Sequence, residues 1–188
     1  RVGDAAFLKS QASSGAYTLS VVEAIASADS EVYSSTHIRE LLIAGNPGPA
    51  AAMLGRPFEI EGRVQHGDER GRQLGFPTAN IELDGYLNPA FGVYAVRAGL
   101  ETASGTFEWF DGVANFGNRP TVDGARILLE SHLFDFDGDL YGKNLRIALI
   151  EFLRPEIKFD GLDMLKAQIA MDSASARRML RVRAAGAP

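Results

Sequence analysis

The sequence contains no cysteine. Disulfides, thiolate metal sites, Fe–S clusters and a cysteine nucleophile are therefore excluded. Histidine is scarce as well: only His37, His66 and His132 occur, which argues against a multi-histidine zinc site. There is no basic surplus, since 19 Lys and Arg against 24 Asp and Glu leave a net charge of −5. Non-specific binding to nucleic acid or to an anionic membrane needs a basic surface, so neither partner is expected. No apolar run approaches the ~20 residues of a membrane-spanning helix, and a soluble, cytoplasmic protein is expected. The chain opens on Arg1, without an initiator Met or a signal peptide, which leads us to expect a piece of a longer protein. What is present is a globular composition of 188 residues, 46% hydrophobic and 23% charged. A chain of this size buries roughly 70% of its unfolded surface and needs no covalent staple.

The first 30 residues are rich in alanine and serine, with a helix end expected over Asp4–Gln11 and a break at Ser13-Ser14-Gly15. Thr18 to Ile25 is an apolar stretch with β-branched residues. Ser34-Ser35-Thr36 then offers an N-cap, and Ile38, Leu41 and Leu42 follow at helical spacing. Gly45-Asn46-Pro47 stops that helix, and Pro49 opens a further short one to Leu54.

From Phe58 the period changes to two: Phe58, Ile60, Gly62, Val64 and His66 fall on one face, Glu59, Glu61, Arg63 and Gln65 on the other. Further strands are expected at Ala79–Leu83, Gly92–Ala98, Thr106–Asn115, Ile127–Phe136 and Asn144–Phe152. No helical period lies between them, which favours an antiparallel meander or Greek key over a βαβ sheet. Six short strands suggest closure, which removes exposed edges. Leu162, Leu165, Ile169, Ala176 and Leu180 form a stripe on a last helix, expected to pack on the outside of the barrel. The fold class is thus mainly β: a six-stranded antiparallel closed barrel, of meander or Greek-key type, with a C-terminal α-helix, preceded by a short α-helical segment.

Four constellations carry chemistry. Gly67 to Asn80 holds three glycines, at 67, 71 and 75, between two strands. Such a loop exposes backbone N–H groups that cradle phosphate, with Arg70 and Arg72 nearby to offset charge. It is neither a Walker A loop nor a dinucleotide fingerprint, because no Gly-Lys-Ser/Thr follows and no helix is opened. Thr78 and Asn80 share a face in extended backbone, and their hydroxyl and amide oxygens are hard donors suited to Mg²⁺. The same residues also suit a solvated hairpin loop, bonding local backbone groups. On the strand Ile127–Phe136, alternation puts Leu128, Glu130, His132, Phe134 and Phe136 on one face. A carboxylate in that apolar setting can act as a general base toward a hydroxyl, or can simply be an edge-strand glutamate facing water. Asp135, Asp137 and Asp139 alternate, but Leu140 and Arg146 stand where a calcium loop needs glycine and glutamate, so a hairpin turn at Asp137-Gly138 is expected instead. Gly112 to Thr121 is expected as a strand end running into a Gly/Asn/Pro loop.

Taken together and in order, these segments resemble one family, the riboflavin kinase module of prokaryotic bifunctional riboflavin kinase/FMN adenylyltransferase (FAD synthetase). The resemblance is carried by Leu54-Gly55-Arg56-Pro57-Phe58, His66-Gly67, Arg70-Gly71-Arg72, Leu74-Gly75-Phe76-Pro77-Thr78-Ala79-Asn80, Gly92-Val93-Tyr94 and Gly112-Val113-Ala114-Asn115-Phe116-Gly117. It continues through Arg119-Pro120-Thr121, Leu129-Glu130-Ser131-His132-Leu133, Asp135-Phe136, Leu140-Tyr141-Gly142, Arg154-Pro155-Glu156, Lys158-Phe159, Gln168-Ile169 and Asp172. The resemblance implies ATP-dependent phosphorylation of the riboflavin 5′-hydroxyl to FMN, with Mg²⁺ held by Thr78 and Asn80 and Glu130 as general base. It implies ATP contacts from Gly67, Arg70, Gly71, Gly75, Phe76, Pro77, Thr78, Asn80, His132 and Tyr141, and flavin contacts from Asn115, Arg154 and Phe159. Arg1-Val2-Gly3-Asp4 and Ser34-Ser35-Thr36-His37-Ile38-Arg39 resemble the tail of the family's adenylyltransferase domain. Residues 1–45 are accordingly expected to be a remnant of that domain with a linker helix, available for self-association. Residues 46–188 are expected to be the kinase domain, with its barrel at about 56–153 and its helix at about 160–182. No two histidines lie within 25 residues, so the paired-histidine nucleotide motif is lacking and no conversion of FMN to FAD is expected. Two rivals are a non-catalytic flavin or nucleotide binder on the same barrel and an oligonucleotide-binding barrel; the latter needs a basic, aromatic face that a charge of −5 disfavours.

Overall fold

The structure, a computed structural model, describes residues 4–15, 17–21, 32–67, 71, 75–83, 85–102, 104–121 and 124–185. Arg70, Arg72, the first three residues and part of the Thr18–Ile25 stretch lie outside the described residues. The chain divides into two compact units, Arg1–Ser34 and Ser35–Pro188. In the first, helix α1 (Ala5–Ala12) starts where Asp4 caps it, accepting from the Phe7 N–H at 2.8 Å. The cap satisfies one of the four N–H groups that a helix start leaves without partners.

In the second unit, α2 (Ser35–Ile43) and α3 (Pro47–Leu54) precede the strands. Helix α3 begins at Pro47, two residues earlier than expected from Pro49, because proline at the first helical position lacks only an N–H that would go unpaired. Six antiparallel strands follow: β1 (Phe58–Arg63), β2 (Ala79–Glu82), β3 (Gly92–Glu101), β4 (Phe107–Thr121), β5 (Gly124–Leu133) and β6 (Asn144–Pro155). Their order, β1-β6-β3-β4-β5-β2, sets β2 beside β5 after the β3-β4-β5 meander, a Greek-key arrangement. The sheet curls into a half-barrel with β1 and β2 as its edge strands, and a bridge between Gln65, just past the end of β1, and Asn80 of β2 spans them. The C-terminal helix α4 (Leu162–Ala185) packs against the sheet's outer face.

Period-two alternation creates two apolar layers. Ile60, Ile81, Tyr94, Phe116, Leu129 and Ile147 point inward and fill the barrel. Val93, Ala95, Val113 and Phe134 point outward and are covered by Ala176 and Leu180 of α4. Each large side chain so buried contributes about 1.5–3 kcal/mol. Strand β6 bulges twice against β3, once between Val93 and Tyr94 and once between Ala95 and Val96. The bulges leave Ile150 and Leu153 out of the ladder, and both residues join the outer layer under the helix.

Three local expectations need correction. Gly112 to Thr121 is strand throughout rather than a strand running into a loop, because β4 and β5 continue as a paired ribbon to Thr121 and Gly124. The turn after β5 falls at Phe134-Asp135, not at Asp137-Gly138. Asp135 takes φ 57°, a left-handed conformation that aspartate tolerates, and Arg177 holds its carboxylate through two bonds of 2.7 and 2.9 Å. Leu162, expected in the buried stripe, is 67% exposed, since α4 meets the sheet along its second half through Ala176 and Leu180. No helix among the described residues is long and apolar enough to cross a membrane.

Candidate active-site cleft

Antiparallel pairing aligns one row of residues across five strands. Asn80 of β2 lies directly opposite Glu130 of β5, and Glu130 lies directly opposite Asn115 of β4. Asn115 is opposite Val93 of β3, which is in turn opposite Arg154 of β6. At ~4.8 Å per strand the row runs about 19 Å. The neighbours of these residues along each strand (Ala79 and Ile81, Leu129, Ala114 and Phe116) belong to the barrel interior, so the row faces outward. A cleft of about 410 Å³ opens over it, walled on the other side by Ile157, Phe159 and the Leu165, Ile169 and Asp172 side chains of α4.

The two ends of the cleft differ in chemistry. At the β2 end, Thr78, Asn80 and Glu130 bring a hydroxyl, an amide and a carboxylate to one wall, with Gly71 and Phe76 beside them. Gly71 and Phe76 are tied to each other there by a 2.8 Å bond from the Phe76 N–H to the Gly71 carbonyl. Gly67 packs so tightly against the Asn80 amide that a side chain at 67 would overlap it. At the β6 end, Arg154 donates from Nε to both Asp172 oxygens at 3.0 and 3.1 Å and from Nη2 at 2.7 Å. Gln168 adds a bond to the same carboxylate at 2.9 Å. Arg154 also stands 5.9 Å from the centre of the Phe159 ring. Its guanidinium is thus a clamp between β6 and α4 that shapes this end of the cleft. Between the two ends, the Asn115 amide donates to Glu156 at 3.0 Å. The Glu156 carboxylate lies over Gly117, where any side chain would collide with it.

The structure therefore brings Gly71, Phe76, Thr78, Asn80, Glu130 and His132 together with Asn115, Arg154 and Phe159 in one cleft. Gly67, Gly75, Pro77 and Tyr141 are not among its lining residues. Pro77 accepts a bond from His132, and Tyr141 stacks on His66 with ring centres 3.9 Å apart. Sequence reasoning assigned no site role to Glu156, Asp172, Leu165 or Ile169, although three of them sit inside quoted motifs. The available signal was the helical spacing of Leu165, Ile169 and Asp172, which puts all three on one face of α4.

Comparison with known proteins places this geometry. The Flavokinase (riboflavin kinase) family model matches residues 54–180. The bifunctional riboflavin kinase/FMN adenylyltransferase of Haemophilus influenzae is 46% identical over 149 residues, covering 79% of this chain and 47% of that protein. The Escherichia coli K12 protein of the same name is 49% identical over 145 residues, covering 77% and 45%. That of Pseudomonas fluorescens is 41% identical over 180 residues, covering 95% and 56%. The chain thus spans about half the length of the curated relatives it matches. Among solved structures, the crystal structure of a macrolide-efflux protein from Streptococcus pneumoniae superposes with a TM-score of 0.73 at 34% identity, covering 83% of this chain and 50% of that one. The family match runs without interruption from the helix before β1 into α4 and encloses every residue of the cleft, and the chain belongs to the riboflavin kinase family.

Proposed function

We propose that this chain transfers the γ-phosphoryl group of ATP to the 5′-hydroxyl of riboflavin, giving FMN and ADP. The observation that carries the proposal is the register: Asn80 and Glu130 are directly opposed on adjacent strands, with Thr78 two residues from Asn80 in the same cleft. Phosphoryl transfer asks little covalent help of a protein; it needs an oriented nucleophile and neutralised phosphate charge. Glu130 is the group to accept the hydroxyl proton as the 5′-oxygen bonds to phosphorus and the bond to ADP breaks. Gly71 and Phe76 line the end of the cleft where the phosphates would sit. The apolar wall of Ile157, Leu165 and Ile169 suits the flat flavin ring, and Asn115 and Glu156 offer polar partners beside it.

The donors present fit Mg²⁺. The Thr78 hydroxyl and the Asn80 amide oxygen are hard, neutral oxygens, and magnesium completes its shell with water and substrate phosphate rather than with a protein cage. When bound, the ion offsets negative charge on the transferring phosphate. Residues 46–188 are read as the kinase domain, and residues 1–45 as belonging with the adenylyltransferase part that the relatives' names include. A flavin binder without turnover leaves the Asn80–Glu130 opposition unexplained. The test is to mix the chain with riboflavin, ATP and Mg²⁺ and to resolve FMN and ADP by chromatography, with Mg²⁺ omitted as the control. Binding of flavin without product would refute the proposal.

A further inference from the structure

The β2–β5 ladder stops at the pair Ala79–Ser131. It cannot be extended through Pro77, which has no N–H to donate. The His132 side chain takes over at that point, with Nδ1 2.9 Å from the Pro77 carbonyl oxygen. A carbonyl oxygen only accepts, so Nδ1 carries the proton of this bond, and in the neutral ring Nε2 is the acceptor. Two further contacts fix the ring. Phe76 meets it edge-on at 5.5 Å and 86°, and Phe134 at 5.8 Å and 73°. Phe134 is itself held, 4% exposed in the outer layer beneath the Arg177 guanidinium, which stands 4.2 Å from its ring centre. Thr78 lies in irregular backbone between the two anchors, with the ladder on its Ala79 side and His132 on its Pro77 side.

We propose that His132 is a positioning residue: its Nδ1–H bond to Pro77 fixes the backbone that presents the Thr78 hydroxyl beside Asn80, and so sets the affinity for the ATP phosphates. The inference rests on the phosphoryl-transfer reading above, and it has His132 act through the Pro77–Thr78 backbone rather than by touching ATP. One neutral hydrogen bond is at stake, so His132→Ala should raise KM for ATP about five- to tenfold while changing kcat and KM for riboflavin less. Replacement by the two amides separates position from mere loss. Asn carries an N–H near the place of Nδ1, and Gln carries one near the place of Nε2. His132→Asn should recover most of the ATP affinity that His132→Ala loses, and His132→Gln should not.

The experiment combines steady-state kinetics of these three variants with long-range ¹H–¹⁵N NMR of the imidazole in the free wild-type protein. An Nδ1–H tautomer with rescue by Asn alone supports the proposal. An Nε2–H tautomer, or equal effects of Asn and Gln, overturns it. Absence of FMN production by the wild type would refute the kinase reading instead, and the tautomer would then still decide whether the Pro77 tie exists.

Discussion

Removing the carboxylate of Asp172 should cost more stability than removing any surface acid. Asp172 is 6% exposed and accepts three bonds from Arg154, whose own side chain is 20% exposed, plus a fourth from Gln168. Asp172→Ala leaves a mostly buried guanidinium with no counter-charge. Breaking one side of a buried pair costs about 3–5 kcal/mol, and the partial exposure of Arg154 brings the expected figure to the low end, about 3 kcal/mol. For a unit of this size each kcal/mol lowers Tm by about 2–4 °C, so a fall of about 6–12 °C is expected by calorimetry. The double variant Arg154→Met, Asp172→Leu removes both charges together and should be clearly more stable than Asp172→Ala alone, because no unpaired ion remains. A Tm change under about 2 °C in the single variant, or a double variant less stable than the single one, would refute the reasoning.

Asn80→Ala should raise KM for ATP roughly 10- to 100-fold, the worth of one contact to a charged group, while KM for riboflavin moves little; equal changes in both constants would contradict the assignment of Asn80 to the nucleotide end. Burial pushes the Tyr94 phenol well above the ordinary tyrosine range, so the folded state favours the protonated form. That contribution is complete below about pH 10 and is lost as pH rises further. The urea midpoint should therefore fall steeply above that pH, and Tyr94→Phe should flatten the fall at a cost of about 1 kcal/mol for the bond to the Ala90 carbonyl.

The strands were legible because each has one dry inner face. Ile60, Val96 and Leu129 stand at positions where a period of two demands apolar residues, and all are buried. Helix α4 was legible in kind but not in which residues it buries. The sheet it meets is built from distant strands, so the exposure of Leu162 has no local signal. The turn at Asp135 was missed for a similar reason. Asp137-Gly138 is the stronger local turn sequence, but the partner that stabilises Asp135 is Arg177, 42 residues away. The hydroxyl, amide and carboxylate of Thr78, Asn80 and Glu130 could be read from residue type, and the strand face each occupies from alternation. Their meeting could not, because the register that opposes Asn80 to Glu130 is set by how the whole sheet curls. Glu156 and Asp172 entered the cleft unassigned, since each works through a long-range partner, Asn115 and Arg154 respectively.

The central claim is that Glu130, one strand from Asn80, takes the proton in a phosphoryl transfer. The most direct measurement is single-turnover formation of FMN from riboflavin and Mg²⁺-ATP by the wild type and by Glu130→Gln, with ATP affinity titrated in parallel. A positioned general base is worth about 10²–10⁴ in rate, so the variant should bind ATP as the wild type does and form FMN at least about a hundredfold more slowly. FMN formation at the wild-type rate by Glu130→Gln would contradict the account.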